Sequence, residues 1–253
     1  MNYTFNINGI DTKAKFTDKG VNEIFLPLLK YLSSLQKQKG RRVLVILAAP
    51  PGAGKSTLLT FLEEYSKNRD DIEPIQVIGM DGFHRRQEYL LNHNIEHNGE
   101  NIPMVKIKGA PITFDLDALA EKVKEVAEGK ICGWPIYDRT LHNPVDDAIT
   151  IDKDIILLEG NYLLLDQEGW RDLSSYADLT IFMKADEEKL RSRLIERKIL
   201  TGVDREKTIA FVDYSDMPNV RLCLEHSLTA DLEIGISEDD DFYIISDERS
   251  ILK

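Results

Sequence analysis

Apolar residues along this chain alternate between two rhythms. Ile24, Phe25, Leu28, Leu29, Leu32 and Leu35 recur at intervals of three and four, which predicts an amphipathic helix. Pro27 is tolerated in the first turn of that helix and Gly40 ends it. Val43–Ala48 is an unbroken apolar run of strand length, after which Leu58, Leu59, Phe61 and Leu62 return to helical spacing. A short strand is expected at 75–78, after Pro74. Residues 81–111 are polar and poor in strand signals, and read as a helix with long loops over a site. Asp115 stands as the N-cap of a helix carrying Leu116, Leu119, Val123 and Val126, ended by Gly129. Strand-like runs follow at 131–136, 148–151, 155–158 and 179–183. Helices are expected over 187–200, 205–213 and 220–227, and short strands near 232–234 and 242–245. Strands alternating with helices predict an α/β fold, a mainly parallel sheet layered between helices, with ligands at the carboxyl ends of the strands.

The segment between the first buried strand and its helix is Ala49-Pro50-Pro51-Gly52-Ala53-Gly54-Lys55-Ser56-Thr57. Strand, glycine-bearing loop ending in Gly-Lys-Ser, and helix together make a phosphate-binding loop. Backbone N–H groups of Pro51 to Thr57 (Pro51 itself excepted) point at phosphate oxygens, and the helix N-terminus adds partial positive charge. Lys55 neutralises the β and γ phosphates, and the Ser56 hydroxyl ligates Mg²⁺. Ala49 stands where the pattern has its first glycine, and a residue so small is expected to leave the turn intact.

The 253 residues suffice for one α/β domain with a lid: an N-terminal extension and helix over 1–40, an acceptor-site segment over 81–114 and a lid over 187–214. No apolar run reaches membrane-spanning length, and the first residues lack the pattern of a secretory leader. Cys132 and Cys223 are far apart and suggest thiols in a reducing, cytoplasmic setting. A net charge of −12 argues against a broad nucleic-acid or membrane surface. An anionic nucleotide must then be held by local positive groups.

The guanine-reading Asn-Lys-x-Asp of GTPases and the Leu-Ser-Gly-Gly of transporter ATPases are absent. A small-molecule kinase needs a carboxylate beside the acceptor hydroxyl and a mobile arginine-bearing lid. The second strand ends in Met80-Asp81-Gly82-Phe83-His84, where Asp81 can accept the hydroxyl proton and Gly82 leaves room for a ligand. The apolar run 155–158 ends in Glu159, a carboxylate placed to hold Mg²⁺ directly or through water. Pro135-Ile136-Tyr137-Asp138-Arg139-Thr140-Leu141-His142 combines an aromatic ring, a carboxylate, a guanidinium and an imidazole, which suits a polyol, a carboxylate or a base. Arg193 and Arg197 share one helix face, and Gly202 beyond them offers a hinge.

These motifs, with Lys108-Gly109-Ala110-Pro111-Ile112-Thr113-Phe114-Asp115 and Leu158-Glu159-Gly160-Asn161-Tyr162, appear in the order found in the phosphoribulokinase/uridine kinase/type I pantothenate kinase group. The chain resembles that group from about residue 28 to about residue 228. More narrowly, it is similar to nucleoside/nucleotide kinase family proteins, some described as fructose-transport-system kinases. The resemblance implies a P-loop sandwich with a helical lid and transfer of phosphate from ATP, with Mg²⁺, to an alcohol. It implies Asp81 as base, Glu159 as the Mg²⁺-associated glutamate and Arg193 and Arg197 as lid arginines. Tyr137 and His142 would face the acceptor, joined by His84, Lys108, Arg139, Asn161 and Tyr162, and Asn219 in Asp216-Met217-Pro218-Asn219 would lie near the adenine. It also suggests a homodimer, which no residue above requires. Uridine kinases carry Ser-Phe-Tyr where this chain has Gly82-Phe83-His84, and pantothenate kinases carry a Tyr-Ser-His type motif where it has Tyr137-Asp138-Arg139. The match therefore leaves the acceptor open; a sugar or sugar-like acceptor is ranked first, nucleoside and pantothenate next. An already phosphorylated acceptor gripped by Arg139, Lys106 and Lys108 is a competing reading, and an ATP-binding regulator without acceptor is another.

His93-Asn94-Ile95-Glu96-His97 matches a zinc-peptidase pattern, but the surrounding Asn92, Asn94 and Asn98 disfavour the long helix it needs. The acidic run 238–241 reads as a solvated turn.

Overall fold

The computed structural model describes residues 2–7, 10–97 and 99–252. The chain opens with an antiparallel hairpin, β1 (Asn2–Ile7) and β2 (Ile10–Lys15). Its signals in sequence are the period-two placement of Tyr3, Phe5 and Ile7 and the dipeptide Asn8-Gly9 that follows them. A single turn, α1 (Asp18–Gly20), and a π-helical turn, Val21–Phe25, lead into α2 (Leu26–Lys39). The expected helix thus starts two residues later than Ile24. Pro27 lies in its first turn, and Gly40, at φ 60°, closes it.

The buried run Val43–Ala48 is β3, followed by the loop 49–54 and α3 (Lys55–Lys67). Next come β4 (Ile75–Gly79), a 3₁₀ turn Met80–Phe83, and α4 (Gln87–Asn92). The segment expected to be loops holds a second hairpin, β5 (Asn94–His97) with β6 (Glu100–Pro103). The histidine pair of the zinc-like pattern therefore flanks and ends a strand rather than sharing a helix face. Helix α5 (Leu116–Ala127) is capped by Asp115, whose side chain accepts from the Ala118 N–H.

Strands β7 (Cys132–Asp138) and β8 (Asn143–Ile151) pair only with each other, antiparallel. The sequence alternation had assigned both runs to the central sheet. Most of β8 is exposed or half-buried, which a strand inside a parallel sheet cannot be. The chain continues through β9 (Ile155–Gly160), β10 (Leu179–Ala185), α6 (Glu187–Ile199) and α7 (Arg205–Phe211). A π turn, Val212–Asp216, joins α7 directly to α8 (Met217–Glu225), and β11 (Leu232–Ile236) and β12 (Phe242–Asp247) follow.

The central sheet has the order β12-β11-β10-β3-β9-β4, parallel except for β12. Strand β3 sits near the middle, so alternate residues feed two cores. Val43, Val45 and Leu47 pack with Leu28, Leu29, Leu58 and Leu62 on one face. Leu44, Ile46 and Ala48 pack with Leu119, Val123 and Trp134 on the other. Each fully buried Leu or Ile contributes about 1.5–3 kcal/mol relative to exposure, which pins this register. The result is a three-layer α/β/α sandwich whose strands β3, β4 and β9 end side by side. Among the described residues no helix is long and apolar enough to cross a membrane.

Candidate active site

The loop after β3 turns through Gly52 and Gly54 at φ 84° and 86°, a region that disfavours side chains. Ala49 does not adopt such a φ, and its N–H donates to the Gly160 carbonyl at the end of β9. The backbone at this position does not require a glycine. At Gly52 a Cβ would lie 3.1 Å from the Leu190 carbonyl and from Leu194 Cγ, so the loop rests directly on α6. Gly54 precedes α3, whose first N–H groups have no partners within the helix and face the loop.

Glu159, one residue before the end of β9, is held by the two side chains that open α3. Ser56 Oγ donates to Glu159 Oε1 at 2.7 Å, and Lys55 Nζ lies 3.8 Å from Oε2. Lys55 also donates to Asn161 Oδ1 at 2.6 Å. Burial pushes the Glu159 carboxyl above its usual range, and the nearby Lys55 charge opposes the shift. A hydroxyl and a carboxylate side by side are the hard oxygen donors that Mg²⁺ takes, with phosphates and water completing its shell.

Asp81 stands at the tip of β4 in the 3₁₀ turn, exposed, and its carboxylate makes no hydrogen bond among the described residues. The turn is clamped from behind. Trp134 Nε1 on β7 donates to the Gly79 carbonyl at 2.9 Å. A Cβ on Gly82 would fall 2.1 Å from the Pro135 carbonyl oxygen. Gly82 was expected to make room for a ligand; it lines the cavity, and the space its own Cβ would need is filled by the backbone of β7. Between these parts lies a cavity of about 250 Å³, with Ser56, Glu159 and Thr60 on one wall and Asp81, Tyr137 and Arg139 among the rest.

The acceptor-side residues expected from sequence divide into two groups. Tyr137 and Arg139 line the cavity. Lys108 stands behind this wall, its Nζ donating to Tyr137 Oη at 2.6 Å, Gln87 Oε1 at 2.8 Å and the His142 carbonyl at 3.2 Å. Burial lowers the Lys108 pKa and raises that of Tyr137. His84 is wedged against Phe114 and Tyr137, with ring centroids 4.0 and 5.0 Å away. Burial lowers its pKa to about 4, a shift that Asp81 opposes and Lys108 and Arg139 reinforce, so the ring is neutral near pH 7.

Other expected residues turn away from the cavity. Tyr162 is fully buried against Phe114 and Trp170, and its hydroxyl donates to the Gly109 carbonyl at 2.5 Å. It props the loop that carries Lys108. Asn161 faces Lys55. His142 offers only its carbonyl, its side chain being exposed at φ 52°. Lys106 is exposed and stays outside the Lys108 network. Asn219 is buried, with its amide donating to the Ser215 carbonyl one turn back in the chain. Gln87 was not foreseen; nothing in its local sequence marks it.

The two arginines expected in a lid, both on α6, differ. Arg193 donates to the Gly52 and Ala53 carbonyls at 3.3 and 3.2 Å and to Asp240 at 2.7 Å. It binds the back of the loop, and Asp240, in the acidic turn expected to be merely solvated, anchors it together with Lys189. Arg191 pairs with Asp213 at 2.6 Å, tying α6 to the π turn. Arg197 makes no hydrogen bond or ion pair among the described residues. It is exposed by surface area, yet the protein around its guanidinium and the like charge of Arg139 lower its pKa, against Asp216 and Asp81.

Residues 44–240 match the sequence profile of the Phosphoribulokinase / Uridine kinase family. The chain belongs to this family. P-loop kinases of the family use ATP with Mg²⁺, and the donor set at Lys55, Ser56 and Glu159 fits that pair. The chain is 38% identical over 247 residues to "Uncharacterized protein YggC" of Escherichia coli K12, covering 97% of this chain and all of that one. It is 30% identical to the "Putative uridine kinase C227.14" of Schizosaccharomyces pombe, covering 76% and 82% of the two chains. A crystal structure of a "putative fructose transport system kinase" from Silicibacter sp. TM1040 superposes with a TM-score of 0.67 at 29% identity, covering 80% of this chain and 98% of that one.

Proposed function

We propose that this kinase transfers the γ-phosphoryl group of ATP to a hydroxyl of a small metabolite, with a sugar-like acceptor ranked first. The observation that carries the reading is the cavity shared by Ser56 and Glu159 on one side and Asp81 on the other. The acceptor oxygen forms the new bond to the γ-phosphorus while the bond to the β–γ bridging oxygen breaks. Asp81 takes the hydroxyl proton and ADP leaves. Mg²⁺, when bound at Ser56 and Glu159, neutralises charge across the β and γ phosphates. Lys55 then exchanges Asn161 and Glu159 for phosphate oxygens, and Arg197, which has no hydrogen-bond or ion-pair partner among the described residues, moves onto the transferring group as α6 to α8 close.

The sugar ranking draws on the name of the Silicibacter neighbour and on Gly82-Phe83-His84 standing where uridine kinases have Ser-Phe-Tyr. Nucleoside and pantothenate remain the next acceptors. An unpaired carboxylate beside the phosphate site favours an enzyme over an ATP-binding regulator, which has no use for a base there. A cytoplasmic homodimer completes the proposal, and light scattering of the purified chain checks the dimer.

The test is ADP release with Mg-ATP against hexoses, pentoses, nucleosides, pantothenate and their monophosphates. Acceptor-stimulated release supports the kinase and names its acceptor. ATP binding without stimulation by any member favours the regulator.

A further inference from the structure

The chain carries a net charge of −12, and two of the four lysines and arginines in its acceptor segment are neutralised in place, while Lys106 is exposed to solvent. Arg85 faces Asp115 at 3.6 Å, and Arg86 pairs with Asp146 at 2.7 Å. Lys108 and Arg139 are different. Neither has a carboxylate within 4.0 Å among the described residues. Lys108 is half-buried and makes three hydrogen bonds, all to neutral oxygens. The carboxylate next to Arg139 in sequence, Asp138, is spent on the turn, accepting from the Thr140 and Leu141 N–H groups at 2.7 and 2.9 Å. Both cations meet at Tyr137: its hydroxyl accepts from Lys108, and its ring lines the cavity beside Arg139.

Desolvating an ammonium without a counter-ion is costly, and a protein rich in carboxylates had the means to avoid it. A missing counter-ion that the ligand supplies resolves the imbalance. We propose that the acceptor of this kinase is a hydroxylated anion, its carboxylate or phosphate group seated between Lys108 and Arg139 at Tyr137. This rests on the kinase reading above and names its substrate class. The anionic group takes the place of the longest Lys108 bond, that to the His142 carbonyl at 3.2 Å. The hydroxyl to be phosphorylated then lies toward Asp81, with Tyr137 between the two functions.

The experiment measures affinity as well as turnover. Glucose, gluconate and glucose 6-phosphate, and ribose, ribonate and ribose 5-phosphate, are titrated calorimetrically into the protein saturated with Mg²⁺ and a non-hydrolysable ATP analogue. The same six are assayed for ADP release with ATP. At least one anion should bind at least about tenfold more tightly than its neutral parent, as a charge-assisted hydrogen bond implies. Lys108→Met and Arg139→Gln should each remove most of that preference, while Lys106→Met should leave it and the ATP analogue should bind all variants alike. Preference for gluconate or ribonate identifies a carboxylate, and preference for the esters a phosphate. Equal binding of neutral and anionic members, or anion binding unchanged in Lys108→Met and Arg139→Gln, overturns the inference. Turnover of neutral sugars alone overturns it while leaving the kinase intact. Anion binding that depends on Lys108 without ADP release supports the anion site and counts against the kinase reading instead.

Discussion

Ser56 donates its hydroxyl hydrogen to Glu159 across 2.7 Å, joining the first turn of α3 to the end of β9. With Lys55 on the same carboxylate, the strand end and the loop are locked together before any nucleotide arrives. This contact gives a direct expectation for Mg²⁺. Ser56→Ala should raise the Mg²⁺ concentration needed for half-maximal activity, and Glu159→Gln should raise it further and lower kcat. Titrating Mg²⁺ at saturating ATP checks both.

The Asp81 carboxylate makes no hydrogen bond or ion pair among the described residues, so replacing it should disturb little but the chemistry. Asp81→Asn is expected to lower kcat by about 10²–10⁴-fold with nearly unchanged ATP affinity. Wild-type turnover in that variant would remove Asp81 from the mechanism.

Arg193 and Arg197 stand one turn apart and should fail differently. Arg193→Ala frees the Gly52 and Ala53 carbonyls and Asp240, so its loss should appear first as weaker ATP binding. Arg197→Ala removes a group with no hydrogen bond or ion pair among the described residues and should lower kcat by about a hundredfold or more while ATP binding changes little. Steady-state kinetics with an independent nucleotide titration separates the two.

His84 supplies a pH dependence of stability. Its pKa falls from an ordinary 6.5 to about 4 in the folded protein, so between these values the unfolded chain binds more protons. Stability is therefore complete above pH 6.5 and lost as pH falls through about 4, by about 3 kcal/mol. His84→Gln should flatten that acid limb in urea unfolding followed from pH 7 to pH 4.

Much of this was legible in sequence because the motifs are local. Lys55, Ser56, Asp81 and Glu159 each end or follow a short apolar run, and strand ends of a parallel sheet must gather at one edge. What escaped depends on distant partners. The alternation that placed β7 and β8 in the main sheet carries no information about pairing, and the exposure of β8 is fixed only once the sheet is built. Arg193 and Arg197 look alike at i and i+4; distant partners tell them apart, the Gly52 and Ala53 carbonyls and Asp240, 47 positions beyond Arg193. Tyr162 sits in a motif next to Glu159, yet the aromatic cluster with Phe114 and Trp170 claims its ring.

Gly82→Ala should be among the most damaging single-atom additions in the chain. Its Cβ would meet the Pro135 carbonyl oxygen at 2.1 Å, and the backbone of β7 cannot yield as a side-chain tip would. A loss of about 1–3 kcal/mol or more is expected in denaturant unfolding, with activity falling further than stability because Asp81 moves too.

That seam between residues 82 and 135 also bears on how such an enzyme changes its acceptor over evolutionary time. On the proposed function, the wall that would select the acceptor and the turn that would activate it are packed backbone to backbone. Widening the pocket by shifting the whole hairpin would drag the base out of line. New specificities should therefore arise at the far tip, around residues 138–143, where Arg139 can be exchanged and the fulcrum stays where it is.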